Sequence, residues 1–411
     1  MIAGALLGGG LASADGLLGG VVAAALGLAL GRLLSSGVGR LLDDGLFAED
    51  ATPVRAADTH DSGRRWIQFA FVGAAVGLWW WEVYARGLGP DGVTGTTSSA
   101  VRMVASMRCA AHIVLAFLLA AAAWIDIRHR VIPDLVTVPG VILGLTVVWL
   151  EPGVLLPIAS EVPRSFAAPL VSADVLAWYG GLVDPPPFPA VGDARNLAGL
   201  VLSLVVFFVW WLVCTAPFSC WLPDDRSAVR TAPREDGHAV GGGFGEPRTI
   251  LLFVGIGAVV AAWWAGGTRF RAMESSLVGM AVSGGLVWAV REGASRALGR
   301  EAMGLGDVTL MAMVGAWVGW QAGVLAFFLA AFIGLAHGVV QLARHHENEL
   351  PYGPSLCLAS GLVILAWKHL WRWAGETLSQ PLMLAGVLSA VVVSTALVLF
   401  VWRRFRAADL E

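Results

Sequence analysis

The sequence predicts an all-α fold, a polytopic integral membrane helical bundle with about nine to eleven transmembrane helices. Two observations carry that expectation. Of the 411 residues, 57% are hydrophobic and only 14% charged, and the mean hydropathy is +0.72. A soluble chain of this length needs far more charge to cover its surface. Apolar runs of about 17–25 residues, long enough to cross a bilayer, also recur along the whole chain. Nineteen Trp and 51 Gly agree with this, because Trp lines membrane interfaces and Gly lets spanning helices approach closely.

In chain order the candidate spans are 11–34, 66–85, 102–125, 135–158, 196–218, 249–266, 275–290, 308–323, 324–343, 353–370 and 381–402. The first is diluted by glycine. It has no basic segment ahead of its apolar run and Arg32 behind it, so it reads as a retained span and not a signal peptide. Trp79, Trp80 and Trp81 at the end of the second run read as an interfacial belt. The seventh and eighth runs are short. Two polar segments interrupt the pattern. Residues 161–195 contain VDPPPFP and read as an irregular external loop, and 224–248 mix charge, Pro and a Gly run as a flexible linker.

Basic residues set the orientation. With the IRHRVIPD turn (residues 127–134) in the cytoplasm, alternation puts about eighteen Lys and Arg on that side and about eight on the other, as the positive-inside rule requires. The N-terminus then lies outside and the C-terminus in the cytoplasm of a plasma (inner) membrane. His129, His345 and His346 sit in these basic loops and read as solvated topology charges. The net charge of −3 gives no sign of nucleic-acid binding. Cys109, Cys214, Cys220 and Cys357 are scattered without a C-x-x-C pair, so neither a metal site, a disulfide scaffold nor a cofactor is expected.

Ionisable residues at membrane depth are costly, about 2.5–3.5 kcal/mol on insertion scales, and mark function by default. Two stand out. Asp126 follows the run VLAFLLAAAAWI at the end of the third span, and Asp307 follows Gly304-Leu-Gly306 at the start of the eighth. The topology drawn from the arginines puts both at one depth on the cytoplasmic side. Taken singly, each has an ordinary explanation: Asp307 as a helix N-cap, and Asp126 as an interfacial charge beside Arg128 and Arg130. As a pair they differ usefully. A helix N-terminus favours an anion at Asp307, while the carbonyls of a helix C-terminus disfavour one at Asp126. Two such carboxylates can share a proton, one acting as base toward water and the other polarising a carbonyl. Paired intramembrane acids also serve transporters and proton relays, although no internal repeat is visible here.

The residues around the two acids carry a resemblance. WIDIRHRVIPDLVTVPGVILGL (124–145) resembles the first signature of the type IV prepilin peptidase family. Residues 275–319, ending in GLGDVTLMAMVGAWVG, resemble the second, which contains G-x-G-D-x-K. LPYGPSLCLASGLVILAW (350–367) is similar to the family's I-P-F-G-P segment. The three motifs stand in family order. The resemblance implies a membrane-embedded aspartic endopeptidase that cleaves leader peptides of prepilin or pseudopilin-like proteins at the cytoplasmic face. Asp126 and Asp307 match the family's catalytic pair. Pro133, Asp134, Gly304, Gly306, Tyr352 and Pro354 would bind substrate or shape the site, with the bilayer as the other partner. For Asp134 a turn-capping role is the stronger reading. Pro354 also reads as an ordinary first-turn proline, and Gly304 and Gly306 serve backbone approach at the site, with helix packing as the alternative.

The same resemblance divides the chain. Residues 1–100 form an N-terminal membrane segment of two spans, and 101–160 the first half of a peptidase core. Residues 161–271 are an insertion with an external loop, two spans and the linker; 272–372 are the second half of the core, and 373–411 a last span with a basic tail. Two departures matter. The family's Lys after the Asp is Thr309 here, which is compatible with a catalytically silent member acting in pilus or secretion assembly. The cysteine tetrad of bifunctional members is absent, so cleavage without methyl transfer is expected. A presenilin-like protease also carries GLGD, but no PAL motif accompanies it here.

Overall fold

The computed structural model describes residues 14–38, 61–85, 87–88, 99–156, 197–215, 246–298, 303–345 and 352–378, with single positions at 386, 389 and 393. The regular elements among the described residues are all helical. They are α1 (Ala14–Arg32, continued as a π-turn over Leu33–Val38), α2 (Asp61–Trp79, continued over Trp80–Tyr84), α3 (Ser99–His129) and α4 (Asp134–Leu150). Then follow α5 (Leu197–Thr215), α6 (Glu246–Ala265), α7 (Gly267–Leu298), α8 (Leu305–Val318), α9 (Trp320–His345) and α10 (Gly353–Leu378).

The protein is an all-α membrane bundle. Among the described residues, five segments are long and apolar enough to cross a bilayer: Leu18–Ser35, Met103–His129, Arg269–Leu298, Trp320–Val340 and Gly353–Gly375. Helices α4, α5, α6 and α8 are apolar but shorter. Ten of the eleven apolar runs fall on these helices, and the run 381–402 lies outside the described residues apart from three single positions.

Several boundaries differ from the apolar runs for identifiable reasons. The fourth run stops early, at Leu150, because Glu151-Pro152 ends the helix in a short 3-10 turn over Pro152–Val154. The seventh extends well beyond 275–290 at both ends. Its flanks carry Arg269, Arg271, Glu274, Arg291 and Glu292, which dilute hydropathy without interrupting the helix. The eighth ends at Val318, where Gly319 takes φ +87° and the chain turns directly into α9. The Trp cluster is not simply a lipid belt either. Trp79 is buried, and its ring covers Gly19 and Gly20 of α1.

Helix α8 occupies the centre. Every residue from Asp307 through Val318 is buried, so the helix is apolar all round and fits only inside a bundle. Helix α7 lies along one side of it through small residues. Gly279 and Gly315 bring the two backbones into contact, the Ser276 hydroxyl donates to the Ala316 carbonyl, and Gly284 faces Ala312. Helix α4 lies along another side. Its buried stripe of Thr137, Gly140, Val141, Gly144 and Val148 recurs at helical spacing. Gly140 and Gly144 seat Met313 and Trp317 of α8, and Trp317 Nε1 donates to the Gly140 carbonyl at 2.9 Å. Helices α5 and α6 pack on each other and against α7, away from the junction of α3 with α8.

The α7–α8 crossing makes a direct prediction. A Cβ at Gly315 would strike the Gly279 carbonyl, whereas one at Gly285, also on α7, would meet nothing within 4 Å. Gly315→Ala is expected to destabilise the bundle by about 1–3 kcal/mol. Gly285→Ala should be neutral or slightly stabilising, since Ala is the better helix former. Unfolding of the purified protein in mixed micelles checks both.

Candidate active site

Asp126 lies one turn before the end of α3, where the chain must leave the helix sharply. The Arg130 amide donates to the Asp126 carbonyl at 2.8 Å, and Arg130 takes a left-handed conformation at φ 56°. This is a helix stop made without glycine. The turn continues through Ile132 to Pro133, whose extended backbone forms the N-cap of α4. The Asp126 side chain points inward and is only 6% exposed. Arg128 does not neutralise it. Its guanidinium lies 4.8 Å over the Trp124 ring.

Asp307 stands in the first turn of α8 and is 8% exposed. It is not the N-cap, as its sequence position had suggested. That position is Gly304, which has no capping side chain, and Asp307 reaches back three residues to accept from the Gly304 amide. The acid therefore makes the return half of a capping box. The loop that leads into it is held from α7, where Arg291 Nε donates to the Met303 carbonyl at 2.9 Å.

A third element completes the group. Tyr352 starts α10, its carbonyl accepting from the amides of Ser355 and Leu356. The Gly353 amide donates to Asp126. Asp126 and Asp307 lie within each other's electrostatic field. Tyr352 lies within that of Asp307, and buried Cys357, one turn into α10, within that of both acids. Among the described residues neither carboxylate is paired with a basic side chain, and no group of three or more His, Cys, Asp or Glu could hold a metal ion.

Close approach at two glycines assembles these pieces. A Cβ at Gly306 would run into the Cβ and carbonyl of Ile132, and one at Gly353 into the Asp126 carboxylate and Ile132 Cδ1. Ile132, 6% exposed, is thus wedged between the starts of α8 and α10. Gly304 differs, since an added Cβ there would come no nearer than 3.9 Å to any neighbour. Pro354 occupies the first turn of α10. Asp134 is exposed at the first turn of α4 and lies within electrostatic range of Cys214 on α5. Sequence reasoning passed over Ile132, Gly353 and Cys357. All three stood inside quoted motifs, but Ile132 and Cys357 are apolar or isolated residues with no pattern of their own.

Thr309, which stands where the prepilin peptidase signature has Lys, is 2% exposed. Its hydroxyl donates to the Gly306 carbonyl at 3.1 Å and accepts from the Thr137 hydroxyl at 3.2 Å. It ties the loop before Asp307 to α4.

The geometry can be set beside known proteins. The model of the Type IV leader peptidase family matches residues 246–339. Over that segment the chain is similar to the type IV leader peptidase family. Similar curated proteins are named prepilin leader peptidase/N-methyltransferase. The one from Aeromonas salmonicida (strain A449) is 33% identical over 110 residues, which is 26% of this chain and 36% of that protein. Those from Pseudomonas aeruginosa and Escherichia coli (strain K12) are 37% identical over 102 residues and 31% over 99. These stretches cover 24% and 23% of this chain, and 34% and 44% of the relatives. The chain thus spans about a third of the length of the first curated relatives it matches. No solved structure matches it significantly. The matched segment contains α7, α8 and Asp307, and it begins at α6, within the stretch 161–271 read from sequence as an insertion. Asp126 and Tyr352 lie outside it and join Asp307 through the fold.

If the two threonines fasten the α8 loop to α4, their contributions to stability should not add. A double-mutant cycle of Thr137→Val and Thr309→Val should show a coupling of about 0.5–1.5 kcal/mol, read from unfolding midpoints.

Proposed function

We propose that this protein is an aspartic-type endopeptidase that removes leader peptides from prepilin or pseudopilin-like proteins, with Asp126 and Asp307 as its catalytic pair. One observation carries the reading. Two buried carboxylates from distant parts of the sequence share an electrostatic field at the start of α10, in a chain whose segment 246–339 matches a leader peptidase family. Two acids so placed cannot both hold full negative charge cheaply, which favours one proton shared between them.

In the proposed reaction the ionised member takes a proton from a water as its oxygen attacks the scissile carbonyl. The protonated member donates to the carbonyl oxygen. Collapse of the tetrahedral intermediate then breaks the C–N bond, and the leaving amine takes up a proton from the dyad. The Gly353 and Gly304 amides hold the two carboxylates in place. Gly304, Gly306, Pro133, Asp134, Tyr352 and Pro354 remain the proposed substrate-binding or shaping residues. Among them Gly306 and Tyr352 are best supported by their positions.

The distribution of arginines supports placing the site at the cytoplasmic face of the inner membrane, with the N-terminus outside and the C-terminus inside. The prepilin substrates follow from the names of the relatives and from the motifs around both acids.

Co-expression with a prepilin-like substrate tests the reading. Asp126→Asn and Asp307→Asn should each lower processing by at least about a thousandfold, and the double variant should be little worse than either single one. Undiminished processing by either variant would remove that residue from the mechanism.

A further inference from the structure

A second cluster of ionisable side chains lies well away from the carboxylate pair. Glu82, in the π-turn after α2, and His112 of α3 are 2% and 1% exposed. Glu82 Oε1 lies 2.5 Å from His112 Nδ1, and Arg108 Nε is 3.9 Å from Glu82 Oε2. His112 precedes Asp126 by fourteen residues, about 21 Å along the axis of α3. Ionisable groups buried in a membrane bundle mark pathways, relays or ligand sites.

The hydrogen bonding leaves Glu82 Oε2, Arg108 Nε and His112 Nε2 without a hydrogen-bond partner among the described residues; the first two face each other at 3.9 Å. In the tautomer whose Nδ1 donates to the Glu82 carboxylate, the imidazole presents a lone pair at Nε2. Nε2 is buried and has no hydrogen-bond partner among the described residues. The same ring forms part of the wall of a cavity of about 470 Å³ between α2, α3 and α10. Every other lining residue is apolar. Ala74, Gly77, Ala116 and Leu365 at its edge are exposed on the sides of α2, α3 and α10. A Cβ at Gly77 or Gly361 would meet nothing within 4 Å, so the two glycines leave the space open. The volume falls in the range of small-molecule sites.

We propose that this cavity is a lateral binding site for a bilayer-dissolved, largely apolar molecule with a single hydroxyl group, whose hydrogen is accepted by Nε2 of His112. A pure hydrocarbon would leave Nε2 unsatisfied. A charged head group would find no opposite charge to meet, because Glu82 and Arg108 already face each other. The hydroxyl of a diacylglycerol and that of a long-chain hydroquinone share the required chemistry.

The test uses the full-length protein in lipid nanodiscs with a diazirine-bearing long-chain alcohol as the probe and its methyl ether as the control. Photolabelling mapped by mass spectrometry should fall on peptides containing residues 71–78, 112–120 and 361–365. The alcohol should bind about tenfold more tightly than the ether. His112→Phe should remove that preference. Gly361→Leu, which adds bulk to the cavity wall at a position where a Cβ meets nothing within 4 Å, should abolish capture of both and keeps the test valid if the His112 variant fails to fold. Displacement by a diacylglycerol assigns the occupant to the lipids, and displacement by a long-chain hydroquinone assigns it to the redox carriers. Equal capture of alcohol and ether, displacement by neither competitor, or labelling indifferent to Gly361→Leu would overturn the proposal.

Discussion

Helix α8 is buried on every side from Asp307 through Val318, and that burial sets the terms for the rest of the bundle. At fourteen residues it is about 21 Å long, short of a roughly 30 Å hydrocarbon core. It therefore needs neighbours to shield it along its whole length. Helices α4 and α7 meet it through glycine and serine because only small residues let backbones come so close. With α9 following directly at Gly319, the mouth of α8 is left as its one end where a polar side chain stands in the first turn. Asp307 occupies that mouth.

The second constraint is the turn after α3. It reverses the chain within four residues through a left-handed Arg130, and so delivers Ile132 against Gly306 and Gly353. The same turn leaves Asp126 facing inward beneath the start of α10. Each acid accepts from a backbone amide contributed by glycine: Gly353 for Asp126, Gly304 for Asp307. Two of the glycines around the site are needed for close approach, while Gly304 is not.

Much of the fold was legible in the apolar runs, because lipid selects long uninterrupted hydrophobic segments. The runs misplace ends wherever a helix is shielded by protein instead of lipid. Helix α7 carries Arg291 and Glu274 at buried positions outside the apolar run 275–290. Helix α8 stops at Gly319, where conformation and not polarity ends it. The site was legible in part. Asp126 and Asp307 stand out because a carboxylate beside an apolar run is rare. Ile132, Gly353 and Cys357 do not, because their roles depend on what the fold brings against them. The cluster of Glu82, Arg108 and His112 was missed for a related reason. Glu82 stands after α2 while Arg108 and His112 lie on α3, and none is unusual alone.

The central claim is that the fold brings together two acids 181 residues apart. Cross-linking tests it without relying on activity. In a Cys357→Ser background, Asp126→Cys combined with Asp307→Cys would be treated with a short bis-thiosulfonate, and the chain then cut at a protease site inserted between residues 216 and 245. The two halves should remain joined. They should separate for Ala116→Cys with Asp307→Cys, since Ala116 lies about 15 Å further along α3. Separation of the 126/307 pair, with both thiols reactive toward a monofunctional analogue, would contradict the account.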